Sequence, residues 1–248
     1  MFSIICAYNN KKMLEDCVIK SLKKQKNIEY ETIFVNAKQH HFSSASETLN
    51  YGGRQAKGEY LIFLHQDIIF ESENVLEKIK YYCDHFQFGI AGVAGLEVKN
   101  STNRRFVTQI KDGKNHTYAG SDKAIHQYQE PRNVVSLDEC LFIIPHKIFK
   151  LFQFNNLGKT WHLYASDFTC NCIKHNLKAI VLPIENIWHL SDGKSFSYDY
   201  FSAVEKLAIL YRKDFKIIYT SYGKWPTARI ILQFKIFYRR MRYKLFNK

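Results

Sequence analysis

Proline and glycine are scarce, four and eleven in 248 residues, which argues against disorder and low complexity. No internal repeat is visible. No run approaches ~18 apolar residues, so no transmembrane helix is expected. Met1-Phe2-Ser3-Ile4-Ile5 lacks the basic n-region and long apolar stretch of a signal peptide, and the expectation is a protein that stays inside the cell. Cysteine offers no metal knuckle: Cys170-x-Cys172 is not a Cys-x-x-Cys pair, and no second pair completes a tetrahedral set. Cys6, Cys17, Cys83, Cys140, Cys170 and Cys172 read as buried free thiols of a reducing compartment. Neither Gly-x-x-x-x-Gly-Lys-Ser/Thr nor Gly-x-Gly-x-x-Gly occurs, so kinase and dinucleotide-dehydrogenase readings lose their main support. Acids are also missing from one region. None follows Asp214, whereas Lys216, Lys224, Arg229, Lys235, Arg239, Arg240, Arg242, Lys244 and Lys248 do.

What is present fits one large α/β domain or a domain with an appendage. Hydrophobic residues make up 46% and charged residues 24%, enough apolar material for a sizeable core. The net charge of +13 attracts polyanions: nucleic acid, anionic membrane or phosphorylated small molecules. Because much of the excess lies in the last stretch, the division expected is a folded domain over 1–214 and a basic amphipathic tail over 215–248.

Phe2 to Ala7 is a short apolar run suited to a buried parallel strand. Leu14, Cys17, Val18, Ser21 and Leu22 then recur at helical spacing. Tyr30 to Val35 reads as a second strand, Asn50 to Ala56 as a helix stopped near Gly58, and Tyr60 to Leu64 as a third strand. Strand, helix, strand, helix, strand is the pattern of a mostly parallel sheet flanked by helices. Further helices are expected over 76–86, 168–173 and 198–213. Strands are expected over 89–96 and 179–183, with loops and edge strands over 104–130.

Ligands of open α/β sheets bind at the carboxyl ends of the strands. Tyr8-Asn9-Asn10, Asn36 and His65-Gln66-Asp67 sit where predicted strands end. An aspartate there caps a helix or shapes a turn as readily as it binds a ligand. Asp67, emerging from Leu61-Ile62-Phe63-Leu64, is also placed to hold a divalent cation bridging two phosphates.

These residues carry a resemblance. Ser3-Ile4-Ile5-Cys6-Ala7-Tyr8-Asn9 is similar to the opening strand of family 2 glycosyltransferases, which have the GT-A fold. Asn50-Tyr51-Gly52-Gly53 and the stretch from Ala56-Lys57-Gly58-Glu59 to His65-Gln66-Asp67 resemble that family's approach to its Asp-x-Asp metal motif. The His-Gln-Asp ending is similar to one bacterial branch. Gly92-Val93-Ala94-Gly95, Asp138-Glu139-Cys140-Leu141-Phe142-Ile143, Tyr164-x-x-Asp167 and His189 follow in the family's order, so the resemblance spans residues 2 to 195. His65 stands where the first acid of the metal motif would be. Asn36 stands where the family often has a uracil-binding Asp, though an amide can also donate and accept.

The resemblance implies an inverting, metal-dependent transfer from a nucleoside-diphosphate sugar, UDP foremost, to a hydroxyl of a glycan or lipid-linked acceptor in surface polysaccharide or lipooligosaccharide synthesis. It implies donor contacts from Ala7, Tyr8, Asn9, Asn36, Asn50, Gln66 and Asp67, and Mn2+ or Mg2+ held by Asp67 and His189. Asp138 and Glu139 fall in the acceptor or sugar pocket, and Asp167 in the general-base position. Asp167 also suits a helix N-cap, and His189 a packed histidine. Two other readings find less support. A sugar-nucleotide nucleotidyltransferase would need a glycine-rich phosphate loop after the first strand, and Tyr8-Asn9-Asn10-Lys11-Lys12 has no glycine. A basic nucleic-acid-binding protein would carry a recognised module around its cations, and none is visible, so no nucleic-acid partner is expected.

In the tail, Ile230, Ile231, Phe234, Phe237, Tyr238, Met241 and Leu245 fall on one helical stripe. Arg229, Lys235, Arg239, Arg240 and Arg242 occupy the remaining arc. Such a helix favours an anionic membrane surface, here the inner face of the cell membrane. Packing on the domain with a solvated basic face is the alternative.

Overall fold

Burial along the first strand, Phe2–Tyr8, sets the architecture. Phe2, Ile4 and Cys6 enter one core cluster and Ile5 the other, all fully buried. A strand covered on both faces belongs in the middle of a layered α/β structure, and the computed structural model places it there. Residues 1–99, 103–121, 123–191 and 196–246 are described, the last without its side chain; Lys248 lies outside them.

The central sheet has seven strands. Their order is Arg132–Asn133, Ala179–Val181, Ile90–Gly92, Leu141–Pro145, Tyr60–Leu64, Phe2–Tyr8 and Tyr30–Asn36. The three at the Tyr30–Asn36 end run parallel. Leu141–Pro145 runs antiparallel to both its neighbours, so the sheet is mixed. The first strand lies between the second and the third. The chain therefore leaves it toward one side and returns on the other, which opens a crevice at the carboxyl ends of Phe2–Tyr8 and Tyr60–Leu64.

Helices cover both faces: residues 11–22, Ala45–Gln55, Val75–His85 and Tyr164–Lys174. Ala45–Gln55 begins well before the Asn50 start expected from the pattern. Ser44 Oγ accepts from Glu47 N at 3.3 Å, and Glu47 Oε2 accepts from Ser43 N at 2.7 Å. The first bond caps the helix at Ser44, and the second ties the preceding residue to its first turn. Gly52 lets the helix lie close to the sheet, since a Cβ there would stand 2.7 Å from Ile5 Cγ2; Gly53 makes room for Phe149 of helix His146–Leu151, whose Cζ would be 2.3 Å from a Cβ.

The stretch expected as one strand over 89–96 is two. Ile90–Gly92 pairs in the central sheet, and Ala94–Val98 leaves it to pair with Arg104–Thr108 and Ser136–Leu137. A third core cluster joins helix Tyr200–Leu210, hairpin Ile217–Thr220/Gly223–Pro226 and C-terminal helix Arg229–Phe246. Trp225, Leu232 and Ile236 are buried in it. The seven residues of the apolar stripe are all exposed on the far side of the same helix. All six cysteines are buried and unbridged. Among the described residues, no helix is long and apolar enough to cross a membrane.

Candidate metal and donor site

Strand pairing assembles the site before any side chain is considered. Cys6 and Leu64 are register partners, so the segments that follow them leave the sheet side by side. Gln66 clasps them together: its Oε1 accepts from Asn9 N at 3.1 Å and Asn10 N at 3.0 Å, and its Nε2 donates to Asn9 Oδ1 at 2.9 Å. Strand Ile68–Phe70 pairs antiparallel with Ile187–His189, placing Ile68 opposite His189. Leu190 N donates to Asp67 O at 3.0 Å. Two residues 122 positions apart in sequence, Asp67 and His189, are thereby adjacent through their backbones.

Three donor atoms converge there. His189 Nε2 lies 3.4 Å from Asp67 Oδ1, 3.3 Å from His65 Nδ1 and 2.9 Å from Ser191 Oγ. Ligand atoms of His65, Asp67 and His189 all lie within 4.8 Å of one another. Two imidazole nitrogens and a carboxylate oxygen are a donor set that suits a first-row divalent cation. The other nitrogen of His65, Nε2, is 2.9 Å from Tyr164 Oη, and that hydroxyl donates to Glu139 O at 3.4 Å. With the proton on Nε2, the lone pair of Nδ1 faces the cluster, the orientation that a partner behind a ligating histidine provides.

Electrostatics agree with that assignment. Burial, reinforced by His189, pushes the His65 imidazole down to about 4, so the ring is neutral at physiological pH. Burial alone would raise the Asp67 carboxyl. The hydrogen bond and charge of His189, with help from His65, outweigh it and hold Asp67 ionised well below the usual carboxylate range. His189 moves up: burial opposes its charged form, but Asp67 prevails.

Two cavities of about 440 Å³ each flank the cluster and share His65, Glu139, His162 and Ser191. One is walled by Ala7, Tyr8, Asn9, Gln66, Asp67 and Trp161. The other contains Asp138, His189, Tyr200 and Tyr222. Asp138 Oδ1 accepts from Cys140 N at 3.0 Å. The neighbouring Glu139 is different. Burial, then the charge of Asp138, push its carboxyl well up, although the N–H groups of Leu163 and Tyr164 favour its ionised form. Burial thus favours the protonated form of Glu139. Leu163, at φ 69°, holds the left-handed turn from which helix Tyr164–Lys174 starts.

Three of the expected site residues have other partners. Asp167 is wholly buried. Its Oδ2 accepts from Asn155 N at 2.8 Å, and its Oδ1 from Asn155 Nδ2 and Tyr211 Oη, both at 2.9 Å. A carboxylate so enclosed ties the 155 loop and Tyr211 to its helix. Asn50 exchanges two hydrogen bonds with the backbone of Phe154, at 2.9 and 3.0 Å, and is a staple rather than a donor contact. Asn36 follows the second strand as expected. Its Oδ1, however, caps the turn by accepting from Lys38 N and Gln39 N, and it lines neither cavity.

His65 is a candidate ligand that the sequence does not suggest, because an acid is expected at that position. Nor does the sequence suggest Trp161, a ring 47% exposed in the wall of the Tyr8 cavity. The sequence signal available was modest: one of three tryptophans, beside a histidine, in a polar stretch.

The sequence profile of the glycosyltransferase-like family matches residues 3–211. A search of curated proteins gave no match. Among solved structures, Staphylococcus aureus TarS (residues 1–349) in complex with UDP-GlcNAc superposes with a TM-score of 0.57 at 14% identity, over 84% of this chain and 65% of that one. GalNAc-T7 with UDP, GalNAc and Mn2+ gives 0.59 at 13% identity, over 84% and 48%. The chain thus spans less than two thirds of the length of either structure.

Proposed function

Since the chain belongs to the glycosyltransferase-like family and has the GT-A fold, we propose that it is a metal-dependent, inverting glycosyltransferase. Its donor is a nucleoside-diphosphate sugar, UDP foremost, and its acceptor a hydroxyl of a surface glycan or lipid-linked glycan. The observation that carries this reading is the convergence of His65, Asp67 and His189 at the strand ends, between two cavities. TarS with UDP-GlcNAc and GalNAc-T7 with UDP and Mn2+, which have the same fold, support the choice of donor.

The cavity bounded by Tyr8, Asn9 and Trp161 takes the nucleotide, with Trp161 and Tyr8 offering aromatic surface to the base. His65, Asp67 and His189 would hold Mn2+ or Mg2+, which would supply positive charge against the leaving diphosphate. The sugar and acceptor occupy the second cavity. There Asp138 accepts the proton of the acceptor hydroxyl as its oxygen bonds to the anomeric carbon. The bond from that carbon to the diphosphate oxygen breaks on the opposite face, its electron pair leaves with the nucleoside diphosphate, and the anomeric configuration inverts. Protonated Glu139 cannot share the base role; it holds the start of helix Tyr164–Lys174 against the site.

Thermal shift with UDP tests the reading, because a ligand of the folded state alone raises the melting temperature. UDP should stabilise the protein with Mn2+ present and much less after chelation. Asp67→Asn and His65→Ala should each remove that metal-dependent increment, measured against each variant's own metal-free melting temperature. Full Mn2+-dependent stabilisation in both variants would remove the cluster from the donor site.

A further inference from the structure

The C-terminal helix Arg229–Phe246 is fastened to the domain along one side. Leu232 and Ile236 are buried in the third core cluster, each 1% exposed. Arg239 Nη2 donates to Tyr222 O at 2.8 Å, Arg240 Nη2 to Ser202 Oγ at 3.1 Å and Tyr243 Oη to Phe196 O at 3.5 Å. These contacts fix its rotation. The face turned away from the domain is therefore held outward, and it is apolar. Ile230, Phe234, Phe237, Met241 and Leu245 recur every three or four residues along it, with Ile231 and Tyr238 beside them. Ile230, Phe234 and Phe237 are 73%, 72% and 65% exposed. So long an apolar stripe in water marks an interaction surface.

Charge identifies what covers it. Every ionisable side chain of fixed charge on the helix is a cation. At helical spacing, Lys235, Arg239 and Arg242 fall on one flank of the stripe, and Arg229, Arg240 and Lys244 on the other. The first flank is widened by Arg104 and Lys224. With Lys235 and Arg239 they line a cavity of about 280 Å³ over the Trp225 ring, in which no acid takes part. We propose that this face docks on an anionic phospholipid bilayer, the stripe entering the acyl boundary and both flanks meeting lipid phosphates. Long basic side chains flanking an apolar stripe have the reach to do both. A second copy of the chain fits poorly, because packing stripe on stripe would crowd cations from two acid-free helices. Nucleic acid would use the cations and leave Ile230, Phe234, Met241 and Leu245 in water.

Docking stands on the helix alone. One consequence rests on the transferase reading: Tyr222, held by Arg239, also lines the cavity containing Asp138, which brings the acceptor pocket within one residue of the docked helix.

Vesicle flotation of the full chain tests the proposal without any donor or acceptor. The protein should float with vesicles of mixed phosphatidylcholine and phosphatidylglycerol, and salt should weaken but not abolish this. The double substitution F234S/F237S should lower the bound fraction about tenfold or more with an unchanged melting temperature, since both side chains are already in water. R242Q/K244Q should reduce binding mainly at low salt. Failure of the unaltered chain to float at low salt would overturn the proposal, as would flotation of F234S/F237S at the unaltered level. A dimer that F234S/F237S converts to monomer, without vesicle binding by the unaltered chain, would make the face a contact between copies instead. Loss of flotation with intact Mn2+-dependent UDP binding would separate this surface from the donor site.

Discussion

Two aspartates that look alike in sequence part company in the structure. Asp167 is closed in by Asn155 and Tyr211, whereas Asp138 lines the cavity beside His189. Asp138→Asn should keep donor binding and lower transfer by roughly 10²- to 10⁴-fold, the range for losing a general base. Asp167→Asn should do the reverse. An amide sets a donor against one of the three donors Asp167 accepts, at a cost of ~1–3 kcal/mol, while turnover per folded molecule stays within a few-fold. Single-turnover assays and urea melts on both variants decide it; loss of transfer in Asp167→Asn without loss of stability would restore the base role to Asp167. Burial raises the Asp167 carboxyl despite those hydrogen bonds. Its contribution to stability is therefore fully present below the unfolded carboxylate pKa and lost as pH rises through the raised folded value. Base recognition divides similarly. Trp161→Ala should weaken UDP binding by ~1–3 kcal/mol, the scale of a lost base–aromatic stack. Asn36→Ala, its side chain committed to a turn, should leave the affinity nearly unchanged in calorimetry.

At the scale of elements, helix Ala45–Gln55 packs against the sheet through Gly52 and against helix His146–Leu151 through Gly53. Gly53→Ala tests the second packing. The new methyl would need Phe149, itself buried, to move from a position 2.3 Å away. Overpacking of this kind costs ~1–3 kcal/mol, and it should appear as a lower denaturation midpoint with an unchanged denaturant slope. The helix also shows where local patterning was legible and where it was not. Gly52 and Gly53 were visible as a motif, but their reason is an approach to Ile5 and Phe149, which no reading of neighbours in sequence contains. Its start was missed because Ser44 and Glu47 were not recognised as a cap, although both lie in plain spacing.

For the whole molecule, the C-terminal helix has two sides with separate duties. Its inner side completes a core with Tyr200, Phe201, Val204, Leu207 and Trp225. Truncation after Tyr222, which would look like removal of a tail, should therefore expose that cluster and lower the melting temperature. Ile236→Ala makes the same point with one side chain and should cost ~2–5 kcal/mol. A variant that melts with the unaltered protein would show that the helix is not part of the core. Arg229, Lys235, Arg239, Arg240, Arg242 and Lys244 thus lie on a helix whose inner side packs in that core.

The sequence by itself determined the α/β class, the strands that end at the crevice, Asp67 as a ligand candidate and the amphipathic character of the last helix. Each follows from local patterns: apolar runs, helical spacing and residues just past a strand. Only the tertiary structure decided that His65 joins Asp67 and His189, that Asp138 and not Asp167 faces a cavity, and that the apolar stripe points outward. These are consequences of strand register and helix rotation. Pairing Ile68 with His189 brings distant residues within hydrogen-bond reach, and burying Leu232 and Ile236 turns Phe234 and Phe237 to the outside. A one-residue change in either register or rotation would rearrange the site or the surface while leaving every local pattern intact.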